Sequence, residues 1–166
     1  MFKINFKKTL INSIIILIIF FVDRISKNYI LKIAELENAV DIYLTSYLNL
    51  YLIWNKGIAF GLLSFDDGAI YNIISLIIII ITAVILVMII KAKDFKKYCL
   101  IFIFGGSIGN LFDRIYYTAV PDFIDLHVNN YHWFVFNVAD IFITMGVLCL
   151  IYVETFSNNK KNEQSS

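Results

Sequence analysis

The sequence predicts an α-helical membrane protein with four transmembrane helices, a small extracytoplasmic β-sheet and a short surface helix. The first observation is composition: of 166 residues, 60% are hydrophobic and 16% are charged. Soluble domains have about 45–50% apolar and about 25% charged residues. The second is the recurrence of apolar stretches, of which about 20 residues cross a bilayer. The third is a Tyr- and Ile-rich connecting segment typical of strands.

Four apolar stretches are the predicted spans, at about residues 9–23, 69–90, 98–113 and 133–156. The second span is the clearest because it contains no charged residue. The first has the basic start of a signal peptide but no small-x-small cleavage site, so we interpret it as a retained helix. Residues 1–156 would then form one membrane domain, and the polar residues 157–166 a disordered cytoplasmic tail.

The basic residues indicate the orientation of the spans. Nine lysines precede the first span, join the second to the third or follow the fourth. Because cytoplasmic loops are enriched in lysine and arginine, both termini are expected in the cytoplasm. The opposite, extracytoplasmic surface then gathers Asp23, Asp113, Asp122, Asp125 and Asp140. Carboxylates are costly within a bilayer, so a chain that places several at one depth is expected to use them.

Two longer segments face outward, residues 24–68 and 114–132. In the first, ILKIAELE is expected to form the short surface helix, and DIYLTSYLNLYLIWN the strands of the sheet. The second segment contains VPDFIDLH, whose alternation would place Asp122 and Asp125 on opposite sides of an extended chain. One of these aspartates is therefore expected to face inward and the other to be solvated.

Polar residues cluster at the end of the third span. Asn110, Asp113 and Arg114 share one face of the last turn, as expected for residues three and four apart. A surface ion pair and a polar network both fit this spacing. Gly105 and Gly109 have the spacing that allows two membrane helices to approach closely.

The fourth span carries Asn137, Asp140 and Thr144 on one helical stripe. Asp140 has no basic neighbour in the sequence, so it is a candidate functional residue, the alternative being a neutral aspartate that serves packing. Two carboxylates about 4 Å apart repel by about 4 kcal/mol at an effective dielectric near 20. One of them then keeps its proton, so the pair can activate water by acid–base catalysis without a covalent intermediate.

Other chemistries and functions are less favoured. The sequence contains no HExxH or GxSxG motif. Asp122, Asp125, His127 and His132 could bind zinc, but their spacing matches no familiar ligand set, so we expect no metal and no other cofactor. No basic, aromatic patch is present, so no nucleic-acid partner is expected. A transporter would need polar residues through the second span, and a scaffold would not need acids in two separate segments.

Five strings occur in order along the chain: DRISK (23–27), NKGIAFG (55–61), GGSIGNLFDR (105–114), VPDFIDLH (120–127) and FNVADIFITMG (136–146). Together they resemble the lipoprotein signal peptidases, or signal peptidase II, of bacterial inner membranes. The departures are Arg24, Pro121 and Ile58, which stand where the family often has glutamine, valine and alanine. They leave the matching acids and amides in place.

The resemblance implies an aspartic endopeptidase whose catalytic dyad is Asp122 and Asp140. Its substrate would be a diacylglyceryl-modified prolipoprotein, cleaved before the lipidated cysteine after entering sideways from the membrane lipid. We expect a monomer in the bacterial plasma membrane with its active site near the extracytoplasmic face. Asp113 is expected to orient Arg114. Substrate-binding or supporting roles are implied for Asp23, Lys27, Asn55, Gly57, Asn110, Arg114, Asn137 and Ala139.

Overall fold

Two pairs of short strands separate long helices in the computed structural model, which describes residues 6–57, 68–129 and 131–163, without the side chains of Trp133 and 157–163. The helices and strands of this part, in chain order, are α1 (Phe6–Glu37), β1 (Asp41–Thr45), β2 (Leu48–Asn55), α2 (Gly68–Lys91), α3 (Asp94–Tyr117), β3 (Val120–Val128), β4 (Tyr131–Phe136) and α4 (Val138–Glu163).

All four helices of the described residues are long and apolar enough to cross a membrane, α4 over residues 138–156. This confirms the four predicted membrane spans. Many large apolar side chains point outward, among them Leu17, Ile80 and Leu148, as expected for helices that contact lipid. The helix α3 is the most buried of the four and packs against the other three. It therefore forms the centre of the bundle.

Glycines let α3 approach its neighbours closely. A Cβ atom on Gly105 would lie 3.0 Å from the side chain of Ile19 on α1. On Gly106 it would collide with the backbone carbonyl oxygen of Ala139 on α4. On Gly109 it would lie 2.7 Å from Oδ2 of Asp23 on α1, so the close helix contact expected at Gly105 and Gly109 is confirmed.

The first helix continues past the membrane span. Residues 30–37, expected as a separate surface helix, are the last part of α1, so that expectation is wrong. No glycine or proline interrupts this stretch. Its apolar residue Ile30 packs with Val40 and Phe123, and this contact favours continuation of the helix. Asn38, with φ of 59°, then ends the helix in the left-handed conformation.

The strands form one antiparallel sheet in the order β1-β2-β3-β4. The prediction of strands over 41–55 is confirmed, and the second outer segment adds β3 beside β2, with Leu50 opposite Ile124. Residues 133–136 were predicted to begin the fourth span, but they belong to β4, so that limit is wrong. Their aromatic and β-branched side chains suit a strand, and β3 offers a free edge for pairing.

Two helix ends also differ from the predicted span limits. The helix α3 begins at Asp94, ahead of the predicted residue 98. The backbone of α4 is helical over 157–163, where we expected a disordered tail. Extending an existing helix costs less free energy than nucleating a new one, so these helices continue beyond the apolar spans into the flanking polar residues. An ion pair between Lys96 and Glu154 links the two helices there.

The bundle has two distinct ends. Lys8 near the start of α1 lines a shared pocket with Lys93 and Lys97 at the junction of α2 and α3. The other end of α1 packs against the sheet through Ile30. The sheet therefore covers the end of the bundle opposite the lysine-rich end, and it brings β3 beside the start of α4.

Candidate active site

Asp122 lies on β3 and is only 2% exposed. Its Oδ1 accepts a hydrogen bond from Nδ2 of Asn137 at 2.5 Å. Its Oδ2 accepts one from Nδ2 of Asn55 at 2.8 Å. The strands β2 and β3 place Asn55 here, since Asn55 pairs with Val120 in the sheet. Both carboxyl oxygens are therefore held by amides from two different elements.

Asp140 lies in the first turn of α4 and is 7% exposed. Its Oδ2 accepts a hydrogen bond from the backbone N–H of Asn137 at 3.2 Å, and its own N–H donates to Oδ1 of Asn137 at 3.1 Å. These reciprocal bonds form a capping box. Asn110 on α3 donates to the other oxygen of Asp140 at 2.8 Å. The helix start thus fixes the orientation of the Asp140 carboxyl group.

Asn137 therefore contacts both acids, through its side-chain amide and its backbone. Asp122 and Asp140 also line the same cavity, which has a volume of about 480 Å³. The fold thus brings an acid from the sheet and an acid from the last helix to one cavity. The rest of the cavity wall comes from β2, β3, α2, α3 and α4: Asn55, Ile78, Ile81, Thr82, Ser107, Asn110, Arg114, Val120, Asn137, Ile143, Thr144, Val147 and Leu148.

The pKa of Asp122 is raised from 3.8 to about 7. Burial is the largest cause, because it penalises the ionised form, and the negative charge of Asp140 is the second. Hydrogen bonds from Asn137 and Asn55 and the charge of Lys27 act in the opposite direction. The Asp122 carboxyl can therefore hold a proton near neutral pH, while remaining able to release it.

Behind Asp140 lies a buried ionic cluster formed by Asp23, Arg24, Lys27 and Asp113. The Lys27 ammonium lies 3.0 Å from a carboxylate oxygen of Asp23 and 2.7 Å from Asp113. It also donates to Oδ1 of Asn110 at 2.8 Å. Arg24 pairs with the same two carboxylates, at 2.8 and 2.5 Å. Asn110 and Asp113 therefore belong to a buried polar network, which is one of the two interpretations of the third-span residues, whereas Arg114 is not part of this cluster.

The expectation for the partner of Asp113 is wrong. Asp113 was expected to orient Arg114, but its ion pairs in the described residues are with Arg24 and Lys27. The physical reason is helix packing: α1 lies against α3 and presents two cations to the buried face of α3. Arg24 was expected only to depart from the family pattern, although a cation next to Asp23 in the sequence is a signal that the buried acids are neutralised.

Asp23 also fixes the start of α4. Its Oδ1 accepts a hydrogen bond from the backbone N–H of Ala139 at 3.0 Å. A carboxylate at a helix N-terminus interacts favourably with the helix dipole and satisfies an otherwise unpaired N–H. The close approach depends on Gly109, where a Cβ atom would lie 2.7 Å from Oδ2 of Asp23. Asp23 thereby helps position Asp140, one residue further along.

Arg114 reaches from α3 toward the loop after β2. Its Nη2 donates to the carbonyl oxygen of Gly57 at 2.6 Å. The N–H of Gly57 in turn donates to Oδ1 of Asn55 at 2.8 Å. Arg114 Nε and Nη1 are buried and have no hydrogen-bond acceptor within the described part of the chain. Residues 58–61 of the NKGIAFG string lie outside the described residues.

Asp125 does not belong to this cavity. It was expected to be solvated if Asp122 faced inward, yet it is 2% exposed, so that expectation is wrong. Its Oδ2 is 2.8 Å from Nδ1 of His132 on β4. The hairpin partner β4 covers this side of β3, which sequence alternation alone did not reveal.

No residue of α2 was predicted to belong to the site. In the structure, Ile78, Ile81 and Thr82 of that helix form one wall of the cavity. Thr82 is a polar residue in an otherwise apolar stretch, which was the available signal, although its hydroxyl donates to the Ile78 carbonyl oxygen within the helix. The cavity therefore runs from the two acids along an apolar wall between α2 and α4.

Four helices long and apolar enough to cross a membrane, with a largely apolar cavity that two acids line, define the class: a multi-pass membrane protein with a candidate catalytic site. The family model described as signal peptidase (SPase) II matches residues 15–156. The chain belongs to this signal peptidase II family and is a membrane peptidase.

Similar proteins agree with this membership. The chain is 57% identical over 164 residues to a lipoprotein signal peptidase of Pelagibacter ubique (strain HTCC1062), covering 99% of both chains. It is 38% identical to a lipoprotein signal peptidase of Anaplasma phagocytophilum (strain HZ), covering 94% of this chain and 99% of the relative. A bacterial membrane enzyme solved by the in meso method shares the fold, with a TM-score of 0.67, 24% identity, and coverage of 91% of this chain and 90% of that one.

Proposed function

We propose that this protein is an aspartic endopeptidase that removes the signal peptide from diacylglyceryl-modified prolipoproteins, cleaving before the lipidated cysteine. The observation that carries the mechanism is the pair Asp122 and Asp140, both bonded to Asn137 and both lining one cavity. Membership of the signal peptidase II family, and relatives named lipoprotein signal peptidase, support the substrate class.

The proposed reaction is a general acid–base hydrolysis. In this scheme one acid of the pair holds a proton, and Asp122, whose pKa is raised to about 7, donates it to the carbonyl oxygen of the scissile peptide. Ionised Asp140 takes a proton from a water molecule, whose oxygen attacks the carbonyl carbon. The tetrahedral intermediate then collapses as Asp140 passes its proton to the leaving amine and Asp122 recovers its own. The peptide bond breaks with one water consumed and no covalent enzyme intermediate.

The amides hold the acids in place during these steps. Asn55 and Asn137 each donate to Asp122, and Asn110 donates to Asp140. Arg114 has two buried nitrogen atoms, Nε and Nη1, without acceptors in the described residues, and its side chain lines the cavity. In the proposal these donors bind a backbone carbonyl of the substrate, since a charged donor forms a stronger hydrogen bond than a neutral one.

The apolar part of the cavity is proposed to take the lipid. Ile78 and Ile81 on α2 face Ile143, Val147 and Leu148 on α4 across it. Each buried methylene of an acyl chain contributes about 0.8 kcal/mol. The substrate would enter sideways from the bilayer, with the peptide backbone next to the acids and the acyl chains along the helices.

The lysine distribution supports an orientation for this proposal. The lysine-rich end of the bundle lies in the cytoplasm together with both termini, and the sheet end with the acids lies near the extracytoplasmic face. The chemistry uses groups of one chain alone, which fits a monomer. Neither the acids nor the amides of this mechanism require a metal or nucleic acid.

The test is cleavage of a synthetic prolipoprotein by Asp122→Asn and Asp140→Asn. Each variant is expected to lose at least about a hundredfold in kcat/KM, because acid–base groups contribute about 10²–10⁴-fold. Asp41→Asn is the matched control, since Asp41 lies on β1 and is exposed. Near-normal turnover by either acid variant would contradict the assignment of that residue. Equal cleavage of substrate without the diacylglyceryl group would contradict the proposed substrate.

A further inference from the structure

A second group of ionisable side chains lies on the β3–β4 hairpin, outside the cavity. Asp125 and His127 are two residues apart on β3, so their side chains project from the same face of the strand. His132 is paired directly with His127 across the hairpin. Directly paired residues share a face of the sheet, so all three side chains meet on one side. Asp122, three residues before Asp125, is not part of the group.

The distances between these side chains suit a metal ion. One ligand atom from each of Asp125, His127 and His132 can be chosen so that all lie within 4.8 Å of one another. Oδ2 of Asp125 lies 2.8 Å from Nδ1 of His132 and 3.6 Å from Nδ1 of His127. Zinc bonds of about 2.0–2.2 Å in tetrahedral geometry place neighbouring ligand atoms roughly 3.3 Å apart. Only small side-chain movements are therefore needed for the three side chains to reach the distances of a tetrahedral zinc site.

Buried polar atoms without partners point to a missing ligand. Asp125 is 2% exposed and His127 is 9% exposed. Oδ1 of Asp125 and Nδ1 of His127 have no hydrogen-bond partner within the residues that the structure describes. Oδ1 of Asn49, which is paired with Asp125 from β2, is also buried and unpaired there. Such atoms are costly in a folded protein unless water or an ion satisfies them.

We propose that Asp125, His127 and His132 bind a divalent transition-metal ion, with zinc favoured by a ligand set of two imidazoles and one carboxylate. A fourth position would hold water, as in zinc sites with three protein ligands. The side chain of His132 is 57% exposed, so it is free to turn and exchange its bond to Asp125 for the metal. From the sequence we expected no metal. The strand register of the hairpin brings these three residues together, and their spacing along the chain does not reveal that register.

The ion would fasten β3 to β4. Asp122 lies on β3, and Asn137 directly follows the last residue of β4, so the two strands carry the acid and the amide that holds it. The proposed role of the metal is to position this hairpin, and it touches no reacting atom. A cavity beside the group gives access to the ion; it is lined by Tyr47, Leu126, His127, Val128 and Tyr131.

Metal binding is tested on the full-length protein in detergent, purified without a polyhistidine tag and stripped with a chelator. Titration with Zn²⁺ is expected to show one saturable site, and Co²⁺ to give the visible absorption of a tetrahedral complex. His127→Gln and His132→Gln are each expected to weaken binding at least tenfold, since even the loss of an outer partner costs about 10–100-fold. No saturable site, or unchanged affinity in both variants, would overturn the proposal.

Stability gives a second readout. Zn²⁺ is expected to raise the Tm of the unaltered protein and to leave that of His132→Gln unchanged. This variant keeps the test decisive if His127→Gln fails to fold, because His132 is exposed. An equal rise in Tm for both proteins would overturn the site. Asp122→Asn should bind Zn²⁺ normally, so the metal site and the proposed peptidase chemistry can fail independently.

Discussion

The side-chain amide of Asn137 lies 2.5 Å from the carboxyl group of Asp122, while its backbone N–H is bonded to Asp140. One residue between β4 and α4 thus touches both acids. The helix cap and the contact between the acids therefore depend on the same residue, through different atoms: Nδ2 bonds Asp122, while the backbone N–H and Oδ1 bond Asp140. A change at Asn137 alters the position of the acids as well as the end of the helix.

Asn137→Ala is expected to lower kcat at least tenfold with little change in KM. The variant removes the donor to Asp122 and the side-chain cap of α4. Loss of a cap costs about 1 kcal/mol, which is too little to unfold the protein. Steady-state kinetics and Tm measure the two effects. Asn28→Ala, at an exposed position of α1, is the control and should change neither kcat nor Tm. An unchanged kcat in Asn137→Ala would show that this amide does not position the acids.

Asp122→Asn is expected to stabilise the protein more at high pH than at low pH. The pKa of Asp122 is raised to about 7 from 3.8, so between these values the folded state holds a proton that the unfolded chain has released. Stability therefore falls as the pH rises through this window, and an asparagine removes that loss. Tm measured between about pH 5 and 8 should show the difference between variant and unaltered protein growing with pH.

The control for this pH dependence is Asp41→Asn, which changes an exposed carboxyl group. Its Tm should follow that of the unaltered protein across the same range. A constant Tm difference between Asp122→Asn and the unaltered protein would mean that Asp122 is already ionised at low pH in the folded state.

Gly106→Ala and Gly109→Ala are expected to lower both Tm and activity. The added methyl group would collide with the Ala139 carbonyl oxygen in the first case and with the Asp23 carboxylate in the second. Forcing an extra methyl into a packed contact costs about 1–3 kcal/mol. Gly68→Ala is the matched control, because a Cβ there meets nothing within 4 Å. Equal Tm values for all three variants would show that α3 does not need glycine at these contacts.

Lys27→Met is expected to destabilise the protein severely, by about 3–5 kcal/mol. The side chain is fully buried between Asp23 and Asp113, and removing its charge leaves these carboxylates with Arg24 as their remaining cation. Thermal unfolding in detergent measures the loss. Lys32→Met, on the exposed side of the same helix, is the control. A Tm loss no larger than that of the control would show that Arg24 alone neutralises the pair.

Much of the fold followed from the sequence for local reasons. The apolar stretches predicted four spans, and the alternating segment over 41–55 predicted strands, because both patterns reflect side chains within one element. Element ends were less predictable. Residues 30–37 extend α1 because they pack on the sheet, and residues 133–136 pair with β3, contacts that no local pattern records.

The sequence by itself determined the membrane class, the strings that resemble signal peptidase II, and the identity of Asp122 and Asp140 as candidate catalytic acids. Only the tertiary structure decided which groups neutralise the buried acids, that α2 forms a wall of the cavity, and that Asp125 meets two histidines. The physical reason is that charge pairing and cavity shape depend on side chains from elements far apart in the chain. Their contacts are set by helix packing and strand register.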